Sequence, residues 1–304
     1  MTPITEVEGR RLTLSNLDKV LYPATGTTKG EVLHYYAATA AEALLAHLRE
    51  RPVSFLRYPD GPDGQRFFTK NPPPGTPSWV RTAPVPHHDN EGARQIVVAD
   101  LASLMWAANL VVEFHSPQWR AGTPGVADRL VFDLDPGAPA SVVECCEVAL
   151  WLRERLAEDG LEAYGKTSGS KGLHLLVPLE PTPSGRVSAY AKGLAVRAEL
   201  ELPDLVVHRM KRALRPGKVF VDFSQNAAAK TTATPYTLRA RAEPTVSAPV
   251  TWAEIEACRS PGELVFMAGD MAERLARYGD LLGPLNEQGR GRPVPDTPQD
   301  RDPA

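Results

Sequence analysis

Two aspartates close an apolar run in RLVFDLDPG, residues 129–137. Burying carboxylates without partners is costly, so Asp133 and Asp135 at the end of a core-like strand need an explanation. Alternate residues of a strand share a face, which sets the two Cα atoms about 6.6 Å apart on one side. Phe132 and Leu134 then face the other way. A divalent cation between the carboxylates would offset their charge, and oxygen donors suit hard ions such as Mg2+ or Mn2+. KVFVDFSQN, residues 218–226, delivers a third carboxylate, Asp222, at the end of a second apolar run. Three aspartates from two strands could build a two-metal phosphoryl-transfer site. The plainer alternative has Asp135 capping a Pro-Gly turn and Asp222 opening another.

KTSGSKGLHLLVPL, residues 166–179, carries the next candidates. Ser-Gly-Ser-Lys-Gly reads as a tight turn whose exposed N–H groups and single lysine could wrap a triphosphate. His174, three residues after Lys171, is either a phosphate donor or a structural histidine of the following strand. GLEAYGKT, residues 160–167, fits the letters of a P-loop. A P-loop follows a strand and opens a helix; here a helix comes first and a strand after, so the match is accidental.

These residues need elements to hold them. Thr28 and Glu31 form a capping-box pattern ahead of VLHYYAATAAEALLAHL, as do Ser141 and Glu144 ahead of a helix ending near Gly160. Ser260, Pro261 and Glu263 predict a third start with proline in the first turn, and a further helix is expected over about Arg186 to Glu199. Strand candidates are VSFLRY, RQIVVA, VVEF, RLVFDLD, GLHLLVPL and KVFVDF. Their order is mixed, so an α+β or mixed α/β architecture fits better than a doubly wound sheet. The expected organisation is an N-terminal α/β subdomain over 1–120, a central catalytic sheet over 121–285 and a disordered tail over 286–304, where Pro, Gly, Asp and Arg dominate. Residues 71–90, rich in proline, read as an irregular loop.

The totals set bounds. The chain has 304 residues, 42% hydrophobic and 23% charged, ordinary for a globular protein with one or two subdomains. No run of about 18 apolar residues exists, which excludes a membrane-spanning helix. Three cysteines, two of them adjacent, make no disulfide framework, and a cytoplasmic setting is expected. The net charge of -3 hides a basic stretch: from Leu205 to Ala242 there are eight basic residues and one acid, Asp222. Such a cluster is either a phosphate footprint or a solvated surface.

With these pieces in order, the chain resembles the polymerase domain of bacterial DNA ligase D, a branch of the archaeo-eukaryotic primase superfamily. The resemblance covers about residues 10–285. It rests on LSNLDKVLYPATGTTKGEVLHYY, RFFTKNPPPGTPSWV, VEFHSPQW, VFDLDPG, TSGSKGLHLLVPL, VFVDFSQN and PYTLRARAEPTVSAPVTW. It implies a primase-like fold with an RNA-recognition-type mixed sheet. It also implies template-directed addition of NTP or dNTP to a 3'-hydroxyl, with a preference for ribonucleotides and dependence on Mn2+ or Mg2+. Asp133, Asp135 and Asp222 match the family's catalytic metal ligands. Ser168, Lys171 and His174 match contacts to the incoming triphosphate, and Gln225 and Arg239 fall at nucleotide-contacting positions. Some relatives carry arginine in place of Gln225. His115 matches a histidine of the active-site neighbourhood. Lys19 and Lys29 match a pocket for the 5'-phosphate across a gap or break, and Phe67 and Phe68 match aromatics near the template.

The implied setting is gap repair or non-homologous end joining on broken double-stranded DNA, close to the nucleoid, with Ku and a separate DNA ligase as partners. In the namesake protein the domain is fused to a ligase; this sequence is either an excised domain or a stand-alone polymerase, and its layout favours the stand-alone version. Two other readings use the same residues: a metal-dependent nuclease, and a non-catalytic module that binds DNA ends.

Overall fold

A computed structural model describes residues 4–85 and 93–296. Two compact units account for the chain: one contains residues 1–116, 232–248 and 266–280, the other residues 117–231, 249–265 and 281–304.

The first unit opens with the hairpin β1 (Ile4–Val7) and β2 (Arg10–Thr13), then the short pair β3 (Val20–Tyr22) and β4 (Thr27–Thr28). The expected capping box forms: Thr28 Oγ1 accepts from Glu31 N–H, and the Glu31 carboxylate accepts from Thr28 N–H. The long helix foreseen behind it is interrupted. Helix α1 (Lys29–His34) passes through a π-helical stretch, Tyr35–Thr39, before α2 (Ala41–Leu48). The wider turn faces Tyr35 and Tyr36 into the core. Strands β5 (Pro52–Arg57), β6 (Phe67–Thr69), β7 (Thr82–Pro84) and β8 (Arg94–Val97) lead to α3 (Leu101–Asn109) and β9 (Val112–Ser116). The proline-rich loop expected over 71–90 thus contains a short strand; its residues 86–90 lie outside the described residues. Leu21, Tyr36, Leu44, Phe55, Val98, Leu104 and Phe114 sit in one apolar core.

The second unit is built on β10 (Val126–Pro136), α4 (Val142–Glu158), β11 (Tyr164–Thr167), β12 (Leu173–Pro183), α5 (Ser184–Glu201), β13 (Val206–Val207) and β14 (Val219–Asp222). Later come β15 (Thr232–Ala233), which belongs to the first unit, then β16 (Pro249–Val250), α6 (Trp252–Ala257) and, again in the first unit, α7 (Met271–Tyr278). The second sheet has the order β13-β14-β10-β12-β11-β16. Its pairings are antiparallel except β13 with β14. The mixed sheet expected from the sequence is therefore present, with α4 and α5 packed on it.

Ser141 caps α4 with Glu144 as foreseen. Ser260 does not start a full helix: Pro261–Leu264 is a single 3-10 turn. The expected contiguous boundary near residue 120 also needs correction. The first unit takes in 232–248 because β15 adds to the edge of its sheet beside β9, giving the order β15-β9-β5-β8-β7 with β6 on β5. The tail expected over 286–304 is packed as far as it is described: Glu180 N–H donates to Arg292 O at 2.9 Å, and Val294 is buried. Residues 297–304 lie outside the described residues.

Candidate active site

In the second unit, register decides which side chains meet. Asp133 of β10 pairs with Asp222 of β14 on one side and with His174 of β12 on the other. His174 in turn pairs with Lys166 of β11. Directly paired residues project to the same face, so Asp222, Asp133, His174 and Lys166 form one row across four strands. Asp135, two residues further along β10, shares that face. Phe132 and Leu134 are fully buried on the opposite side. The chain thus drives an apolar strand through the core and lets its polar face open only at the end.

Two carboxylates directly opposite each other destabilise a sheet, and Asp133–Asp222 is such a pair. Each has an orienting partner. His174 Nε2 lies 3.1 Å from Asp133 Oδ1. Asp222, 8% exposed, caps the 3-10 turn Phe223–Asn226, accepting from Ser224 N–H at 3.0 Å and Ser224 Oγ at 2.6 Å. Gln225 Nε2 donates to its other oxygen at 2.8 Å. Among the described residues no group of three or more aspartate, glutamate, histidine or cysteine side chains is arranged so that it could hold a metal ion. Asp133, Asp135 and Asp222 nonetheless share one face of the sheet, and carboxylate oxygens are the donor type that hard divalent cations take.

The Ser168 turn differs from its expected form. Ser168 Oγ faces inward and accepts from Ser170 N–H at 3.2 Å and Gly172 N–H at 3.1 Å. Those two amides organise the turn rather than pointing outward. Gly169 takes φ of 67°, and Lys171 is exposed. A Cβ on Gly172 would sit 2.0 Å from Leu134 O, so the glycine lets the turn approach β10 between Asp133 and Asp135. In the basic stretch after β13, Lys211 and Arg212 are exposed, Arg209 pairs with Glu199, and the Arg215 guanidinium lies 3.6 Å over the Phe220 ring.

Other candidates lie in the first unit. His115 Nε2 is 3.0 Å from Glu113 Oε2, and Arg239 Nε donates to the same oxygen at 2.9 Å. Burial alone would push the Glu113 carboxyl up; the His115 hydrogen bond and the Arg239 charge outweigh it and hold the group down at about 2. Glu113 was not among the sequence candidates. Its signal was an acid two residues before His115 in a strand, which puts both on one face. Phe68 meets His115 edge-on, ring centroids 6.1 Å apart. Phe67 and Phe68 are 42% and 55% exposed, unusual for paired phenylalanines and free to stack on a planar partner.

Lys29 is only 5% exposed, with Nζ 3.4 Å from Ser15 Oγ. Burial, and then the charge of Lys19, push its ammonium down to about 8. Lys19 Nζ donates to Pro59 O at 2.8 Å and pairs with Asp60 at 2.6 Å.

Residues 28–282 match the family model for the LigD primase-polymerase domain. This chain belongs to that family. Membership makes it a nucleotidyltransferase of the primase-polymerase class, and nucleotide use with metal dependence follows in general form. The multifunctional non-homologous end joining DNA repair protein LigD of Mycobacterium tuberculosis (strain ATCC 25618 / H37Rv) is 45% identical over 288 residues, covering 91% of this chain. The bifunctional LigD of Bacillus subtilis (strain 168) is 29% identical over 272 residues, covering 88% of this chain. The chain spans 37% and 43% of the lengths of these two relatives. Among solved structures, the polymerase domain from Mycobacterium tuberculosis ligase D in complex with DNA superposes with a TM-score of 0.85 at 44% identity. That match covers 91% of this chain and 98% of that one. No helix among the described residues is long and apolar enough to cross a membrane.

Proposed function

We propose that the protein extends a primer 3'-hydroxyl with nucleoside triphosphates, preferring ribonucleotides, at gaps or double-strand-break ends during end joining or gap repair. The observation that carries this reading is the register of β10 against β14, which sets two carboxylates opposite each other and a third beside them on one face. Asp133, Asp135 and Asp222 would hold Mn2+ or Mg2+. The chemistry supplied by cations bound there is neutralisation of phosphate charge and acidification of the attacking hydroxyl. The chain's own part is placement. His174 orients Asp133, while Ser224 and Gln225 orient Asp222, so Gln225 acts through the carboxylate as well as at its family nucleotide position. Lys171, on the turn held by Ser168, supplies a cation for the triphosphate, and His115 and Arg239 have the nucleotide-contacting roles that their family positions imply. Attack on the α-phosphate releases pyrophosphate.

Lys19 and Lys29 bind the 5'-phosphate of the downstream strand, and the exposed rings of Phe67 and Phe68 stack on template bases. Gapped or broken duplex DNA, Ku and a DNA ligase are the partners, in a cytoplasmic, nucleoid-associated setting. A primer-extension assay on a gapped duplex, comparing rNTP with dNTP and Mn2+ with Mg2+, tests this. Asp135→Ala is expected to lose nucleotide addition while keeping DNA affinity. Undiminished extension by that variant refutes the site, and shortening of the labelled primer without triphosphates would make the protein a nuclease.

A further inference from the structure

We propose that Glu113 is a positioning residue for nucleotide binding, locking Arg239 and His115 into one preassembled pair of phosphate donors. The inference rests on the nucleotide role given above to those two residues.

Glu113 lies in β9, where an apolar side chain would ordinarily sit, and is 2% exposed. A carboxylate at such a place is tolerated only with full partnering. Its partners are not neutral filler. Oε2 takes both Arg239 Nε at 2.9 Å and His115 Nε2 at 3.0 Å, and Oε1 takes the Ala240 N–H at 2.5 Å. One carboxylate therefore holds a guanidinium, an imidazole and the backbone immediately after the arginine. The bond to His115 engages Nε2, so Nδ1 is the nitrogen through which the ring can meet a phosphate oxygen.

The segment bearing Arg239 is fixed from behind by buried phenols. Tyr35 OH donates to Tyr236 O at 2.8 Å, Leu238 N–H donates to Tyr36 OH at 2.9 Å, and Tyr22 OH donates to Arg239 O at 3.1 Å. Burial raises all three phenols, which keeps them neutral, Tyr35 and Tyr22 as donors and Tyr36 as acceptor. Arg239 is thus held at its main chain by tyrosines and at its guanidinium by Glu113. A long cationic side chain fixed in advance loses less freedom on binding a triphosphate. The carboxylate also serves both side chains as a shared acceptor, which keeps Arg239 and His115 together.

Glu113→Gln tests this at nearly constant shape. The amide can still accept from Ala240 N–H, but its NH2 then faces two donors. Steady-state extension with varied NTP should show KM raised about tenfold, or about 1.4 kcal/mol of binding, with kcat and gapped-DNA affinity little changed. Arg239→Ala should raise the same KM, and the double variant should fall short of the sum of the two single effects, since only the hold on His115 is left to lose. Full additivity of the two changes, or an unchanged KM in Glu113→Gln while Arg239→Ala raises it, overturns the proposal. If Arg239→Ala leaves KM unchanged, the nucleotide role of Arg239 fails first. Should Glu113→Gln not fold, Glu113→Asp keeps the charge and withdraws it by one methylene; a wild-type KM in that variant overturns the proposal, and a raised KM supports it.

Discussion

Binding of the downstream 5'-phosphate should weaken as pH rises from 7 to 9, and Lys29 sets the size of the effect. Its ammonium is held at about 8 by burial first and the Lys19 charge second. The sign follows directly: the cation attracts the phosphate, it is mostly present below 8, and it is lost as pH rises through that value. If only the charged form binds, apparent affinity scales with the charged fraction. That fraction falls from about nine-tenths at pH 7 to about one-tenth at pH 9 for a group near 8, so affinity should drop about tenfold. The phosphate stays dianionic throughout, since its second ionisation lies near pH 6. The assay is fluorescence anisotropy on one gapped duplex with and without the 5'-phosphate, at pH 7, 8 and 9, expressed as the ratio of the two Kd values. The ratio cancels pH effects on the rest of the DNA contact. Lys29→Arg, whose guanidinium stays charged across this range, should flatten the curve. A wild-type ratio equal at pH 7 and 9, or an equal fall in Lys29→Arg, refutes the reasoning.

Two further variants probe the frame around the carboxylates. Asn226 is buried where β14 has ended, and its side chain continues the ladder beside β10: Oδ1 accepts from Val131 N–H at 2.8 Å and Nδ2 donates to Val131 O at 2.7 Å. Asn226→Ala should cost about 2–4 kcal/mol by leaving both backbone groups unpaired, read from urea denaturation; a loss under half that range would show that other groups take over. Gly172→Ala puts a Cβ against Leu134 O and should destabilise by about 1–3 kcal/mol while impairing extension; a wild-type melting temperature and rate would show that the turn yields without consequence.

Much of this was legible because the signals were local. Alternation in RLVFDLDPG and KVFVDFSQN placed Asp133, Asp135 and Asp222 at strand ends, and the capping boxes at Thr28 and Ser141 sit where the sequence puts them. Register was not legible: nothing local says that Asp133 pairs with Asp222 on one side and His174 on the other. Nor was the inward turn of Ser168 Oγ, since hydroxyl direction depends on how closely Gly172 approaches β10. Glu113 escaped notice for the opposite reason. A lone acid in VVEF looks like surface, and only Arg239, 126 residues away, reveals it as buried and shared. The helix after Ser260 failed because the chain returns to extended geometry at Val265 after one 3-10 turn.

The first unit draws on residues 232–248 and 266–280 as well as on the opening 116. A chain emerging from the ribosome therefore cannot complete that unit first and the other second. The sheet edge at β15, the arginine at 239 and the helix at 271–278 are made only after residues 117–231 of the other unit. Until then the opening 116 residues carry unfinished apolar surface, the kind of state in which nascent chains aggregate or recruit chaperones. Truncated products ending before residue 232 should accordingly be insoluble.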